Sequence, residues 1–88
     1  MRIIARRTLR EFWSSHARAE QPLKAWFAEA SKANWQRPQD IKDDYPHASF
    51  LADNRVVFNI AGNHYRLVVH VNYDFAILYV KFIGTHAQ

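Results

Sequence analysis

The stretch that decides the fold is residues 55–83, RVVFNIAGNHYRLVVHVNYDFAILYVKFI. It contains three runs rich in β-branched and aromatic residues in which the side chains alternate with a period of two, as in half-buried strands. The links between the runs are Gly62-Asn63 and Tyr73-Asp74, and a two-residue link that starts with Gly favours a hairpin turn. The sequence therefore predicts an antiparallel meander of three strands, Arg55–Ala61, His64–Asn72 and Phe75–Ile83.

Two-residue turns predict which residues face each other across the meander. Asn59 is expected opposite Arg66, and Arg66 opposite Lys81; Arg55 is expected opposite His70, and Val68 opposite Tyr79. One face of the sheet then carries the apolar side chains and a single phenol, and it must be covered by another layer. Its predicted members are Val56, Phe58, Ile60, Tyr65, Leu67, Val69, Val71, Ala76, Leu78, Val80 and Phe82.

The first half of the chain supplies that cover. A short edge strand is predicted within residues 1–5, and Thr8 with Glu11 forms a capping-box pattern that predicts the start of a first helix. Pro22 is expected in the first turn of a second helix that ends near residues 33–34, and Pro38 opens a short third helical turn. The predicted fold class is α+β, with an N-terminal strand and two helices packed on one face of an antiparallel sheet.

Length, charge and cysteine content restrict the class of protein. Eighty-eight residues are expected to form a single domain, 1–88, because a second core needs a longer chain. The net charge of +4 favours an acidic partner such as nucleic acid or an acidic protein. The absence of cysteine excludes disulfides and thiolate metal sites, and no apolar run is long enough to span a membrane. We therefore expect a cytoplasmic protein with no membrane contact.

The polar face of the predicted sheet indicates an anion site. Like charges opposite each other destabilise a sheet, and Asp74 is the only acid in residues 55–83 to offset Arg66 and Lys81. A phosphate group would satisfy both cations. Antiparallel sheets also commonly have one solvated face, and Lys and Arg are ordinary residues there, so this alternative explains the same pattern.

The candidate chemistry narrows by elimination to metal-free cleavage of a phosphodiester. His64 and His70 are separated by roughly 20 Å along a strand, too far to share one ion, and the sequence has no nucleophile elbow, phosphate-binding glycine loop or pair of catalytic carboxylates. RNA carries its own nucleophile, the 2′-OH, so a cleaving protein has to move protons and stabilise charge. His86 is the first candidate for general acid or base, with His70 in reserve, and Tyr79 could stack on a base.

Three blocks of the sequence resemble one known family. Phe58–Leu67 (FNIAGNHYRL) is similar to the FNI-x-GN-x-YRL signature of HigB-type toxins, a branch of the RelE-like superfamily of mRNA interferases. Phe82–Ala87 (FIGTHA) resembles the F-x-GTHA segment of that family, and Pro38–Pro46 resembles its short P-x-x-I-K-x-x-[FY]-P helix. The blocks occur in the family's order, although family members continue after T-H-A-x with Tyr-Asp and this sequence ends at Gln88.

The resemblance implies the toxin of a type II toxin–antitoxin system, an endoribonuclease that cuts mRNA on the ribosome. It also implies a HigA-like antitoxin with a helix-turn-helix domain as partner, and a RelE-like fold. By position, Arg66 corresponds to a basic site residue of such toxins and His86 to their C-terminal acid or base, while Lys81 comes from the predicted register. The predicted RNA-binding residues are Arg55, Asn59, His64, His70 and Tyr79. Two alternatives stay open, a non-catalytic RNA- or ribosome-binding module and a domain that binds only the antitoxin.

Overall fold

The computed structural model describes residues 1–87 and contains five strands and three α-helices within them. The strands are β1 (Arg2–Ile4), β2 (Ser49–Leu51), β3 (Arg55–Ile60), β4 (Tyr65–Asn72) and β5 (Ile77–Thr85). The helices are α1 (Arg6–Ser15), α2 (Glu20–Lys32) and α3 (Pro38–Asp44), with a 3₁₀ turn at Ala17–Ala19 between the first two. The α+β class predicted from the sequence is confirmed.

The sheet has the strand order β1-β5-β4-β3-β2 and is mixed rather than purely antiparallel. Strand β1 lies at one edge, as predicted, but pairs in parallel with β5, with Ile3 opposite Leu78. A parallel pair requires a long crossover connection, and the intervening helices and strands provide it. Strand β2 forms the other edge and was not predicted, because three residues are too few to establish an alternating pattern.

The predicted register of the first hairpin is confirmed. Arg55 lies opposite His70 and Asn59 opposite Arg66 on the β3–β4 ladder. Gly62 adopts a left-handed backbone conformation at φ 67°, which a residue without Cβ accommodates at little steric cost. The backbone N–H of His64 closes the turn on the carbonyl of Ala61 at 3.3 Å.

The predicted register of the second hairpin is wrong. Four residues separate the strands in each hairpin, and the first turn is centred on Gly62-Asn63 as predicted. The pairing of Asn72 with Ile77 centres the second turn on Asp74-Phe75 rather than on Tyr73-Asp74. Ala76 takes a positive φ of 55°, as Ala61 does at 54° in the first hairpin, although alanine seldom adopts this conformation. Phe75, predicted to open the third strand, is 76% exposed in this turn. As a result His70 lies opposite Tyr79, and Arg66 lies opposite Gly84.

A β-bulge changes the faces near the end of β5. Val69 pairs with Val80 and Val68 pairs with Phe82, so Lys81 is the extra residue of the bulge. Beyond it the alternation is reversed: Phe82, predicted for the core, is 39% exposed, and Ile83 packs against the core instead. The remaining apolar face is as predicted on β3 and β4, where every second residue is buried.

The first helix begins three residues earlier than the capping-box pattern predicts. Ala5 is its N-cap, with φ 76°, and no side chain caps the helix. Thr8 therefore lies inside the helix, and Glu11 pairs with Arg7 at 3.5 Å rather than with a backbone N–H. The second and third helices follow their predicted positions, with Pro22 in the first turn of α2 and Pro38 opening α3.

Both long helices bury one stripe against the apolar face of the sheet. Leu9, Leu23 and Trp26 are at most 2% exposed, and Phe58 from β3 packs against Trp26 with ring centroids 5.4 Å apart. His16 stacks on Phe12 at 4.1 Å, as expected of a packing residue rather than a ligand. Within residues 1–87, no helix is long and apolar enough to cross a membrane.

The environment of the Tyr45 phenol should make the protein less stable at alkaline pH. The phenol donates a hydrogen bond to Glu29 Oε1 at 2.6 Å, and burial, followed by this bond and the charges of Glu29 and Asp44, raises its pKa above the ordinary value of 10.0. Above about pH 10 the unfolded chain releases this proton and the folded chain keeps it. The free energy of unfolding should therefore fall as the pH rises beyond 10.

Urea unfolding of Tyr45→Phe between pH 8 and pH 11 checks this expectation. The variant should lose less stability over that interval than the wild type. Tyr79→Phe removes a phenol from the other face of the sheet and serves as the control. If Tyr45→Phe loses stability as steeply as the wild type, the Glu29 contact does not hold the proton.

Candidate functional site

The face of the sheet turned away from the helices is basic and contains no acid. We call it the open face. The sequences of β1 to β5 hold no Asp or Glu, and the three ion pairs within residues 1–87 all lie elsewhere, on α1, on α2 and at the start of α3. The cations on the open face are therefore not neutralised by carboxylates in the part of the chain that the structure describes.

One group of predicted site residues meets where β4 begins and β5 ends. Arg66 Nη2 donates a hydrogen bond to the backbone carbonyl of His86 at 3.4 Å, and the backbone N–H of His86 donates to the carbonyl of His64 at 3.1 Å. Asn59 lies opposite Arg66 on the next strand. We call these four residues, Asn59, His64, Arg66 and His86, the Arg66 group. The pairing of β4 with β5 therefore places Arg66 and His86 at the same end of the sheet.

A second group lies further along the same face. His70 is opposite Arg55 on one side and Tyr79 on the other, and the His70 and Tyr79 rings are 6.1 Å apart between centroids. The Lys81 ammonium lies 5.7 Å from the centroid of the Tyr79 ring. We call these four residues the His70 group.

The expected pairing of Arg66 with Lys81 is wrong. Gly84 is opposite Arg66, and Lys81 lies between the Val68–Phe82 and Val69–Val80 pairs, two to three residues along β4 from Arg66. The positions of Arg66 and His70 are about 13 Å apart along β4, since a strand rises about 3.3 Å per residue. Arg66 and Lys81 thus belong to two basic groups on one face, and the eight predicted site residues divide four and four between them.

Two features of the site were missed in the sequence. Phe82 lies on the open face, opposite Val68, and the available signal was the consecutive apolar pair Phe82-Ile83, which breaks the alternation. A cleft of about 380 Å³ lies beside the Arg66 group, where Asn59 Nδ2 approaches the carbonyl of His47 at 3.5 Å. Asn63 from the turn also lines this cleft, and only the fold brings it near His47.

The open face is suited to an extended anion. A guanidinium and an ammonium on a face without carboxylates attract phosphates, and the half-exposed ring of Tyr79 and the exposed ring of Phe82 offer surfaces on which bases stack. The His86 side chain is exposed just beyond the end of β5, where a bound molecule can reach it. In residues 1–87, no three His, Cys, Asp or Glu side chains are grouped as metal ligands.

Comparison with known proteins places the chain in a family. Residues 19–88 match the family model HigB_toxin, which describes a RelE-like toxic component of a toxin–antitoxin system. This range includes the three resembling blocks and all eight predicted site residues. No curated protein matches the chain. Since the family model covers most of its length, the chain belongs to the HigB family of RelE-like toxins, the toxic components of toxin–antitoxin systems.

Proposed function

We propose that this toxin is a metal-independent endoribonuclease that cleaves mRNA on the ribosome. The observation that carries the proposal is the contact between Arg66 Nη2 and the carbonyl of His86, which holds a guanidinium and an imidazole-bearing residue at one end of a face without acids. Charge stabilisation and proton transfer are the two tasks that RNA leaves to a cleaving protein. Family membership supports a toxic activity, and RNA cleavage is the activity this pair of residues fits best.

The proposed reaction uses the nucleophile of the RNA itself. The 2′-oxygen attacks the adjacent phosphorus, the bond from phosphorus to the 5′-oxygen breaks, and the products are a 2′,3′-cyclic phosphate and a 5′-OH end. The 2′-hydroxyl loses one proton as it attacks and the departing 5′-oxygen gains one; His86 makes one of these two transfers and water makes the other. Arg66 stabilises the negative charge on the pentavalent phosphate. Both residues lie in the Arg66 group, and we propose that one phosphate binds between them.

The remaining predicted residues bind the RNA on either side of that phosphate. Lys81, which the predicted register placed beside Arg66, is assigned with Arg55 and His70 to a neighbouring phosphate, because the structure places it in the His70 group. Tyr79 and Phe82 offer rings for base stacking, and Asn59 and His64 contact RNA next to Arg66. The substrate strand thus runs along β4 and β5.

The proposed setting follows from the family. A toxic component requires an antitoxin, and we propose a HigA-like protein with a helix-turn-helix domain as that partner. Residues 1–88 act as a single toxin domain in the cytoplasm. The net charge of +4 is compatible with binding to ribosomal and messenger RNA, since counterion release favours association of a basic surface with RNA.

Mapping of RNA ends tests the proposal directly. Purified toxin is incubated with translating ribosomes, and new termini are identified by ligation chemistry that distinguishes 5′-OH from 5′-phosphate. We expect new 5′-OH termini within the translated message, and their loss when the antitoxin is added first. Binding to ribosomes without any new 5′-OH terminus would instead support a non-catalytic module.

One observation favours that second candidate, an RNA- or ribosome-binding module without catalysis. Lys81 is not beside Arg66, so the phosphate near His86 has one cation rather than two at hand. A binding surface needs no such pair, because successive phosphates contact successive cations. The antitoxin-only domain, the third alternative, predicts no RNA affinity at all.

Lys81→Ala separates phosphate binding from catalysis. If Lys81 contacts a neighbouring phosphate, the variant should bind single-stranded RNA more weakly. The slope of the logarithm of the association constant against the logarithm of salt concentration should become less negative by about 0.7. Titration of a fluorescent RNA at four salt concentrations measures both quantities. Lys32→Ala removes an exposed lysine from the last turn of α2, off the open face, and is the matched control. An unchanged salt slope in Lys81→Ala would exclude this phosphate contact.

A further inference from the structure

A groove between α1 and α2 is unrelated to the open face. Its floor is apolar, built from buried Leu9 and the half-buried rings of Trp13 and Phe27, and exposed Ala28 forms part of its wall. The two helices cover the apolar face of the sheet, so the sheet separates the groove from the Arg66 group. Nothing in the proposed RNA chemistry uses these side chains.

The size of the groove selects the kind of occupant. Its volume is about 230 Å³, below the range of about 300–1,000 Å³ that is usual for small-molecule pockets. A pocket of this size and composition fits one large apolar side chain from another protein, inserted as an anchor. Anchors of this type, in fully desolvated pockets, supply most of the energy at protein interfaces.

The rim of the groove is positively charged. The Arg6 guanidinium lies 4.6 Å from the centroid of the Phe27 ring, and the Lys24 ammonium lies 5.4 Å from that of Trp13. Lys24 pairs with Glu20 in an exposed position, and within residues 1–87 Arg6 has no carboxylate partner. Cation–π contacts hold both charges over the aromatic walls, where they would meet carboxylates beside an inserted side chain.

The start of α1 adds to this charge. Arg6 and Arg7 occupy its first turn, which contains no acid, and no side chain caps the helix. Cations next to the positive end of a helix dipole are unfavourable, and an anion there is favourable. The free toxin therefore carries an electrostatic cost beside the groove that a bound carboxylate would relieve.

We propose that this groove is the docking site of the antitoxin, which would insert a large apolar side chain flanked by carboxylates. The apolar floor favours a protein segment over RNA, and the charged rim favours an acidic one. The proposal rests on membership of the toxin family and not on RNA cleavage. It assigns the two partners to opposite sides of the sheet, so each interface can be removed without the other.

The test compares two alanines of α2. Ala28→Glu places a bulky carboxylate in the wall of the groove, and Ala25→Glu makes the same change at an exposed position outside it. Binding of each full-length variant to the purified cognate antitoxin is measured by calorimetry, and binding to single-stranded RNA by fluorescence. We expect Ala28→Glu to bind the antitoxin about tenfold or more weakly, with unchanged RNA affinity, and Ala25→Glu to match the wild type in both.

A second pair of variants keeps the test informative if Ala28→Glu does not fold. Arg6→Glu reverses the charge at the rim and should also weaken antitoxin binding, whereas Arg18→Glu makes the same change at an exposed position outside the groove and should leave it unchanged. Wild-type antitoxin affinity in folded Ala28→Glu and Arg6→Glu overturns the proposal. Loss of RNA or ribosome binding with intact antitoxin binding also overturns it, and assigns the groove to nucleic acid. A wild-type toxin that makes no RNA ends contradicts only the proposed function.

Discussion

Arg66→Ala should reduce RNA cleavage on ribosomes by about 10²- to 10³-fold, the loss typical when one preorganised donor to a transition-state charge is removed. Arg66 is half-exposed and its known hydrogen bond is to the carbonyl of His86 at 3.4 Å, so the substitution leaves no buried group unsatisfied. The fold should therefore survive. Single-turnover cleavage of a radiolabelled message measures the rate.

Arg55→Ala is the matched control for this prediction. It removes the same side chain from the same face, but in the His70 group, and should weaken RNA binding with little effect on the rate at saturating toxin. Arg66→Lys keeps the charge and loses the planar two-pronged donor, so an intermediate rate is expected. Equal cleavage rates for Arg66→Ala and the wild type would remove Arg66 from the reaction.

His86→Gln should lower the cleavage rate by about 10²- to 10⁴-fold, the range expected for loss of a general acid or base. Glutamine keeps a polar side chain of similar length and leaves the backbone bonds of His86 to His64 and Arg66 in place. RNA affinity should therefore be nearly unchanged. The pH dependence of the rate is the decisive readout, because one limb of the wild-type profile should vanish in the variant.

His70→Gln makes the same substitution about 13 Å from Arg66 along the face and should retain both limbs of the profile. If His70→Gln loses the limb and His86→Gln keeps it, the proton is moved in the His70 group. The reserve assignment of His70 would then replace that of His86. If neither variant alters the pH profile, neither His70 nor His86 transfers the proton.

The first hairpin could be predicted residue by residue, and the reason is local. Gly62 favours the positive φ that a tight turn needs, and the alternation on β3 and β4 continues without interruption. A register error of one residue would have moved every apolar side chain to solvent. Asn59 was therefore placed correctly opposite Arg66.

The second hairpin could not be predicted by the same rules. Its turn is centred on Asp74-Phe75, one residue later than predicted, and Phe75 has the composition of a strand residue although it is 76% exposed. The bulge at Lys81 then exchanges the faces of Phe82 and Ile83. The position of a turn and the presence of a bulge depend on packing of the whole sheet. The local sequence therefore does not reveal them.

The sequence predicted which of the candidate residues share the open face, but not how they are arranged on it. All eight predicted residues lie on or beside the open face, because the alternation settles which side a strand residue faces. Which residues face each other across two strands depends on the register. Because the predicted register of the second hairpin was wrong, Lys81 was expected opposite Arg66, whereas the Arg66 guanidinium contacts the carbonyl of His86. The edge strand β2 and the parallel pairing of β1 were missed because both depend on contacts distant in sequence.

The central claim is that one phosphate of the RNA lies between Arg66 and His86. The most direct measurement is a nuclear magnetic resonance titration of the toxin with a short RNA whose 2′-OH groups are replaced by hydrogen, so that it binds without being cleaved. We expect the side-chain signals of Arg66 and His86 to shift together, with smaller shifts at Lys81 and Tyr79 and none at Ala28. Shifts confined to the groove between α1 and α2, or to the His70 group with Arg66 and His86 unchanged, would contradict it.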